Sequence, residues 1–449
     1  METRTQIILE RIAGRAKRES QCRFTTLAHL LDEEFLKECY NKLERNRAGG
    51  IDGVSWQEYG KGLEGNIKGL VERMKAKRYK PQAAKRVYIP KDEHSERPLG
   101  LPAVEDKTVQ KGTTCILGAI YEQDFLECSY GFRPGRDCHQ ALKAINTIFT
   151  QEPINHVVEA DIKGFFDHVS HEKLVELLGR RINDPSLLFL IERFLKAGYM
   201  EEGIWHETEE GTPQGGNLSP MLSNIFLHYV LDEWLEKEIK PRMRGVVRLV
   251  RYADDFICMV QYADEAEEIM AAIKARFAEY GLELNAEKSR VISFGRYEEE
   301  NARRQNRKAN TFDFLGFTHY CGQSRKGRFL LGRKTSGKKF RKKCVELKAW
   351  LKAVRNACPA KEWWLVLKAK LIGHYRYYGV SGNYDGIRSY HLKALKLAKR
   401  WLNRRSQKKR YNRWSYRAYL KRHPLPLPRI AHSFYITSCR YDMAPKLAT

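Results

Sequence analysis

Apolar positions along the chain fall into two patterns, short runs of strand length and longer stretches with helical spacing. Val246-Val247-Arg248-Leu249-Val250 and Phe256-Ile257-Cys258-Met259-Val260 are the clearest short runs, mostly β-branched or bulky. Only a tight polar segment separates them, which predicts a β-hairpin with Asp254 and Asp255 at its tip. A third run, Val157-Val158-Glu159-Ala160-Asp161, predicts a strand ending on an acid, with a helix start at Ser170 behind it. Further strands are expected at 86–91, with a partner opening at 96, at 291–294, and at 312–317 as an edge strand around Gly316. Helical spacing predicts helices over 27–45, 59–78, 104–121, 137–149, 221–235 and 263–280. From Lys338 the pattern is helical over 338–354, 362–378 and 386–404. Residues 1–23 are polar and read as helical or partly ordered; Leu425-Pro426-Leu427-Pro428 stops regular structure, and the last twenty residues read as a tail.

The acids change what this pattern means. Aspartate favours turns for its own sake, so an Asp-Asp pair at a hairpin tip is weak evidence alone. Two strands delivering Asp161 and Asp254 to one sheet edge, however, make an oxygen-rich site suited to Mg²⁺, a hard cation that prefers carboxylates, water and phosphate. Gly211-Thr212-Pro213-Gln214-Gly215-Gly216-Asn217-Leu218-Ser219-Pro220 is a second candidate. Its paired glycines let the backbone approach a ligand closely, and Asn217 or Ser219 is placed to cap the helix that follows.

Charge narrows the partner. The formal net charge is +26 over 449 residues, and residues 321–449 hold 34 Lys and Arg against 4 Asp and Glu. A solvated surface mixes signs, so a block this basic points to a polyanion, nucleic acid before others. Its aromatics (Trp350, Trp363, Trp364, Tyr375, Tyr377, Tyr378, Trp401) read mainly as core between three helices, with the basic face as the functional part. Ten scattered cysteines without a Cys-x-x-Cys pair argue against a zinc module. No apolar run approaches membrane-spanning length and no signal-peptide pattern opens the chain, so an intracellular, reduced protein without membrane contact is expected.

Five segments, in order, carry a resemblance: Gly49-Gly50-Ile51-Asp52-Gly53-Val54, Ser129-Tyr130-Gly131-Phe132-Arg133-Pro134-Gly135-Arg136, Ala160-Asp161-Ile162-Lys163-Gly164-Phe165-Phe166-Asp167, the 211–220 turn, and Tyr252-Ala253-Asp254-Asp255. Over residues 24–430 the chain resembles the group II intron-encoded reverse transcriptases and maturases, of the type lacking an endonuclease domain, since no zinc-binding cysteine pairs occur up to Thr449. The resemblance implies an α+β chain with a right-hand polymerase fold: fingers and palm with antiparallel sheet, plus an α-helical thumb or maturase domain. The lobes it implies are 1–154 for the N-terminal extension and fingers, 155–322 for the palm, 323–424 for the thumb and 425–449 for a short tail. It assigns catalysis to Asp161, Asp254 and Asp255, with two Mg²⁺ ions (Mn²⁺ as a substitute) held by Asp161, Asp254 and the Ile162 carbonyl, Asp255 being the looser ligand. Lys91 and Arg97 at a fingertip, Gln214 against the sugar and base, and Lys288 near the leaving pyrophosphate are its nucleotide contacts. Phe166 is its sugar gate; strand alternation would send Phe165 the other way, into the core. Phe132 and Arg133 are implied nucleic-acid contacts, 312–317 resembles a primer grip, and Arg404, Arg405, Lys408, Lys409 and Arg410 form a basic cluster for RNA.

The expected partners are an intron RNA as template and splicing substrate, a DNA primer or target, and dNTPs, in the bacterial cytoplasm or nucleoid. Two alternatives are a domesticated or defence-associated polymerase without an intron, and a non-catalytic splicing cofactor. The full set of three aspartates speaks against the last.

Overall fold

Helix starts in the amino-terminal part are written locally. In the computed structural model, which describes residues 3–90, 96–212, 215–324, 326–405 and 411–434, α1 (Arg4–Arg18) opens on a Thr3 capping box with Gln6. The stretch 27–45 is not one helix: a single 3₁₀ turn at Ala28–Leu30 precedes α2 (Glu33–Asn41), because Asp32 accepts the Phe35 N–H at 2.9 Å and starts a new helix. The stretch 59–78 is likewise split, into α3 (Trp56–Lys61), opened by a Ser55–Glu58 capping box, and α4 (Leu63–Lys75), with Gly62 between them.

The chain forms two compact units, residues 1–141 with 153–293, and residues 142–152 with 294–449. In the first, β1 (Ala84–Pro90) and β2 (Glu96–Leu101) pair antiparallel, and α5 (Val104–Tyr121) follows. Next come α6 (Cys138–Gln151), whose greater part belongs to the second unit, β3 (His156–Ala160), α7 (His171–Leu178) capped by Ser170, and α8 (Pro185–Leu195). The short β4 (Tyr199–Glu201) and β5 (Ile204–His206) complete a sheet of order β2-β1-β4-β5.

After α9 (Ser219–Leu227) the helix widens into π-helical turns at His228–Glu233 and Leu235–Ile239, where a regular helix over 221–235 was expected. Neither Asn217 nor Ser219 caps it. The cap position is Leu218, which offers no side-chain acceptor, and Asn217 instead donates its amide to the Lys107 carbonyl at 3.3 Å. The hairpin strands β6 (Val247–Tyr252) and β7 (Asp255–Val260), then α10 (Ala263–Glu279) and β8 (Arg290–Ser293), close the unit. Its antiparallel sheet has the order β6-β7-β3-β8, and Ile269, Ile273 and Phe277 of α10 are buried.

The second unit holds α11 (Glu298–Arg304) and a three-stranded antiparallel sheet. Residues 312–317 are not one edge strand. Leu315 (φ 48°) and Gly316 (φ 80°) turn β9 (Thr311–Phe314) back into β10 (Phe317–Gln323), which pairs with β11 (Phe329–Thr335). The helices α12 (Gly337–Ala357), α13 (Ala360–Tyr378), α14 (Tyr384–Asn403) and α15 (Arg413–Arg422) follow, with Trp363, Leu367, Ile387, Leu397 and Trp401 buried. The chain is thus a mixture of helices and mainly antiparallel sheets, the one parallel pairing among the named strands being β1 with β4, and it fits the α+β class. No helix among the described residues is long and apolar enough to cross a membrane.

Candidate active site

The site grows from the hairpin register. Tyr252 pairs with Asp255, so Ala253 and Asp254 alone make the turn, and Ala253 takes φ 58°, the positive value that two-residue hairpin turns demand. Strand β3 runs antiparallel to β7 with Ala160 opposite Phe256. Asp161, the next residue, therefore emerges at the same end of the sheet as Asp255 and Asp254. The sequence expectation of carboxylates at one sheet edge follows from this pairing.

Asp161 is held on its other side. Its N–H donates to Ser289 Oγ at 3.2 Å, its carbonyl accepts the Asn285 N–H at 2.8 Å, and its carboxylate takes an ion pair from Lys288 Nζ at 3.0 Å. Ile162 forms an antiparallel bridge with Leu284 in which the bonds are made by the flanking residues, Lys163 N to Glu283 O and Asn285 N to Asp161 O. In that arrangement the N–H and C=O of Ile162 turn away from Leu284, towards the side on which β7 lies. Carboxylates and a backbone carbonyl are hard oxygen donors and fit a divalent ion of the Mg²⁺ kind. No group of three or more His, Cys, Asp or Glu is close enough to hold a metal among the described residues.

A cleft of about 460 Å³ is lined by Arg86, Gly100, Phe166, Tyr199, Gly211 and Thr212 among others. The two phenylalanines part company, Phe165 into the core at 2% exposure and Phe166 onto the cleft wall, but not by strand alternation. β3 ends at Ala160; Gly164 takes φ 56° and Phe165–Asp167 is a 3₁₀ turn. Gly211 holds φ 88°, and a Cβ there would lie 2.8 Å from the Phe166 and Asp167 carbonyls, so only glycine lets this turn pass. Gly215 (φ 114°) crosses Gly100 of β2 as closely, with a Cβ falling 2.4 Å from its carbonyl oxygen. His171 donates its Nε2–H to the Gly211 carbonyl at 2.7 Å, and burial pushes its pKa down. Gln214 lies outside the described residues.

Other expected contacts fall unevenly. Phe132 is exposed (58%) at φ 57°, its ring 6.5 Å from that of Tyr252 beside the hairpin turn. Arg133 is corrected: its side chain is only 4% exposed, paired to Glu122 at 3.0 Å and donating to the Leu126 and Ser129 carbonyls at 2.8 and 2.9 Å. All its reach is spent folding its own turn, so it presents no charge to nucleic acid. Arg97 is exposed on β2 opposite Ile89; Lys91 lies outside the described residues. Arg404 is exposed with its guanidinium 5.3 Å from the Trp401 ring, and Arg405 donates to the Cys358 carbonyl at 2.9 Å. Lys408, Lys409 and Arg410 are outside the described residues. One residue escaped the sequence reading: Arg251, inside the hairpin, is fully buried. The available signal was a charged residue at an inward position of an apolar strand.

Comparison with known proteins gives the site its family. The family described as reverse transcriptase (RNA-dependent DNA polymerase) matches residues 89–319. The chain is 33% identical over 308 residues to the group II intron-encoded protein LtrA of Lactococcus lactis subsp. cremoris, covering 66% of this chain and 51% of that protein. It is 35% identical over 240 residues to protein YkfC of Escherichia coli K12 (47% of this chain, 63% of that protein). It is 30% identical over 95 residues to nuclear intron maturase 1, mitochondrial, of Arabidopsis thaliana (21% and 13%). The chain thus spans about half the length of LtrA. With just over half of its residues matched, aspartate hairpin included, this chain belongs to the reverse transcriptase (RNA-dependent DNA polymerase) family.

Proposed function

We propose that this protein is an RNA-directed DNA polymerase of the group II intron class, which binds its intron RNA, assists its splicing and copies it into cDNA. The observation that carries the reading is the convergence of Asp161, Asp254 and Asp255 at one sheet end. Asp161, Asp254 and the Ile162 carbonyl would hold the divalent ions, Mg²⁺ by their oxygen chemistry, with Asp255 as the looser ligand. Bound there, the ions would lower the pKa of a primer hydroxyl and neutralise a triphosphate. The chain's own residues orient and exclude. Lys288, already within reach of Asp161, supplies an ammonium near the leaving phosphates, Arg97 and Lys91 take up triphosphate charge, and Gln214 meets sugar and base. Phe166 narrows the cleft where a 2′-hydroxyl would enter. Transfer of this kind needs positioning and charge stabilisation more than covalent help.

On this reading residues 1–154 are the N-terminal extension and fingers of a right-hand fold, 155–322 its palm, and 323–424, with α12 to α14, the thumb or maturase lobe. The basic residues after 321, with Arg404, Arg405, Lys408, Lys409 and Arg410 among them, grip RNA. Phe132 contacts the nucleic acid from beside the hairpin. The partners are intron RNA, a DNA primer or target, and dNTPs.

The test is Asp254→Asn, nearly isosteric, assayed for primer extension on an RNA template beside RNA affinity. Extension should vanish while RNA binding stays near wild type. Normal extension by the folded variant would remove the metal-site assignment.

A further inference from the structure

Arg251 directly precedes Tyr252 and the hairpin turn, and its burial is complete, a rare setting for a guanidinium. Its Nε donates to Asp232 Oδ1 at 2.7 Å and its Nη2 to Asp232 Oδ2, a two-pronged ion pair with neither side chain exposed. The remaining nitrogen is used differently. Nη1 donates to the Asn224 side-chain oxygen at 2.9 Å and to the Ala253 carbonyl at 3.0 Å. Asn224 in turn donates through Nδ2 to the Gly131 carbonyl at 2.7 Å. Backbone bonds reinforce the link: Arg251 N to Cys128 O at 2.8 Å and Tyr130 N to Arg251 O at 2.9 Å.

Two geometric facts give this network a purpose. The Ala253 carbonyl and the Asp254 N–H belong to one planar peptide, so a bond that fixes the oxygen fixes the plane from which Asp254 departs. That plane needs fixing, because Ala253 is held at φ 58°, where a residue with a Cβ is disfavoured. The π-helical turns at His228–Glu233 also find a reason. Residues eight apart on a regular α-helix are rotated by about 80°. The wider π turn reduces that rotation and swings Asp232 back over the face that carries Asn224. Neutralising Asp232 would require only the two-pronged pair; the bonds to Asn224 and Ala253 go beyond it.

We propose that Arg251 is a positioning residue: clamped by Asp232 and Asn224, it sets the Ala253–Asp254 peptide so that the Asp254 carboxylate is preorganised for a divalent cation. This rests on the assignment of Asp254 as a metal ligand made above. Stability alone does not call for such a cluster, since a buried ion pair can often be exchanged for apolar residues without loss.

The experiment compares the full-length wild type with Arg251→Lys and with the double variant Arg251→Met/Asp232→Leu, which leaves no buried charge unpaired. Arg251→Lys keeps the charge but offers a point donor in place of the fork. Melting temperature, Mn²⁺ affinity by electron paramagnetic resonance without nucleic acid, the Mg²⁺ dependence of extension, and the KM for dNTP at saturating Mg²⁺ are measured on each. A misdirected carboxylate should weaken Mn²⁺ binding about tenfold or more and raise the half-saturating Mg²⁺ concentration in step, with the dNTP KM within about twofold. Folded variants with wild-type Mn²⁺ affinity and wild-type Mg²⁺ dependence would overturn the proposal. Asp254→Asn run alongside separates the two readings: if it too binds Mn²⁺ like wild type, the metal assignment itself falls.

Discussion

Truncating the adjacent rings Phe165 and Phe166 should give opposite results, and the structure sets the size of each. Phe165 is 2% exposed and meets Phe226 edge-on at 6.2 Å, inside the core of the first unit. Losing such a ring costs about 3–5 kcal/mol. At about 2–4 °C per kcal/mol for a domain of comparable size, Phe165→Ala should melt roughly 6–20 °C lower. Phe166 is half-buried on the cleft wall, and its turn is held by backbone, the Thr212 N–H bonding the Phe166 carbonyl at 2.6 Å. Phe166→Ala should therefore keep its backbone and most of its stability while opening the wall. If the ring bars a 2′-hydroxyl, its removal should lower the preference for dNTP over rNTP at least tenfold, about 1.4 kcal/mol of discrimination. Single-nucleotide extension gives kcat/KM for both substrates, and the ratio for each variant is the readout. If folded Phe165→Ala relaxes sugar choice while Phe166→Ala leaves it intact, the gate has been assigned to the wrong ring.

Two further outcomes follow from burial and charge. Burial, chiefly, lowers the His228 pKa to about 4, below its unfolded value near 6.5, so this histidine contributes stability that is present above pH 6.5 and lost as pH falls through 4. The full effect is about 3 kcal/mol, and a His228→Phe variant should lose less melting temperature than wild type between pH 7 and 4.5; identical slopes would refute it. For the basic region, neutralising Arg404, Arg405, Lys408, Lys409 and Arg410 should flatten the salt dependence of RNA binding. Each phosphate contact removed accounts for about 0.7–0.9 in the slope of log K against log salt. Titrations at several salt concentrations that give a wild-type slope would take this cluster out of the RNA contact.

The apolar pattern made the hairpin, α5 and the helices after Lys338 legible: β7 is a strand-length run buried over all five residues after Asp255, and the helices carry apolar residues at helical spacing. It failed where the deciding partner is distant or the helix geometry changes. Nothing in the run 221–235 announces π turns, so neither the placement of Asp232 nor its pairing with Arg251, 19 residues on, could be read. The Phe165 and Phe166 separation came out through a 3₁₀ turn after Gly164 rather than through a pleat. The glycine- and arginine-rich turn reads the same whether Arg133 faces solvent or folds back on the Leu126 and Ser129 carbonyls, as it does. Asn217 has a cap-like position in sequence, but its amide is taken by Lys107 across the unit's interior.

On the metal-site reading, the two cations near the aspartates have opposite jobs, and burial tells them apart. Lys288 pairs with Asp161 while both side chains stay about half exposed, 59% and 47%. An exposed pair of this kind is worth about 0–1 kcal/mol, little enough for a divalent ion to displace. Arg251 pairs with Asp232 at zero exposure for both. Removing one partner there would strand a buried charge at a cost of about 3–5 kcal/mol, so that pair does not exchange. The rigid pair lies beneath the turn and fixes its peptide plane; the labile pair lies on the carboxylate that must trade an ammonium for a metal. A site that loads and releases ions at each turnover needs both properties, a fixed donor direction and a weakly held counter-charge. Exchanging the two, with the lysine buried and the arginine exposed, would give a neutralised acid cluster on a mobile turn.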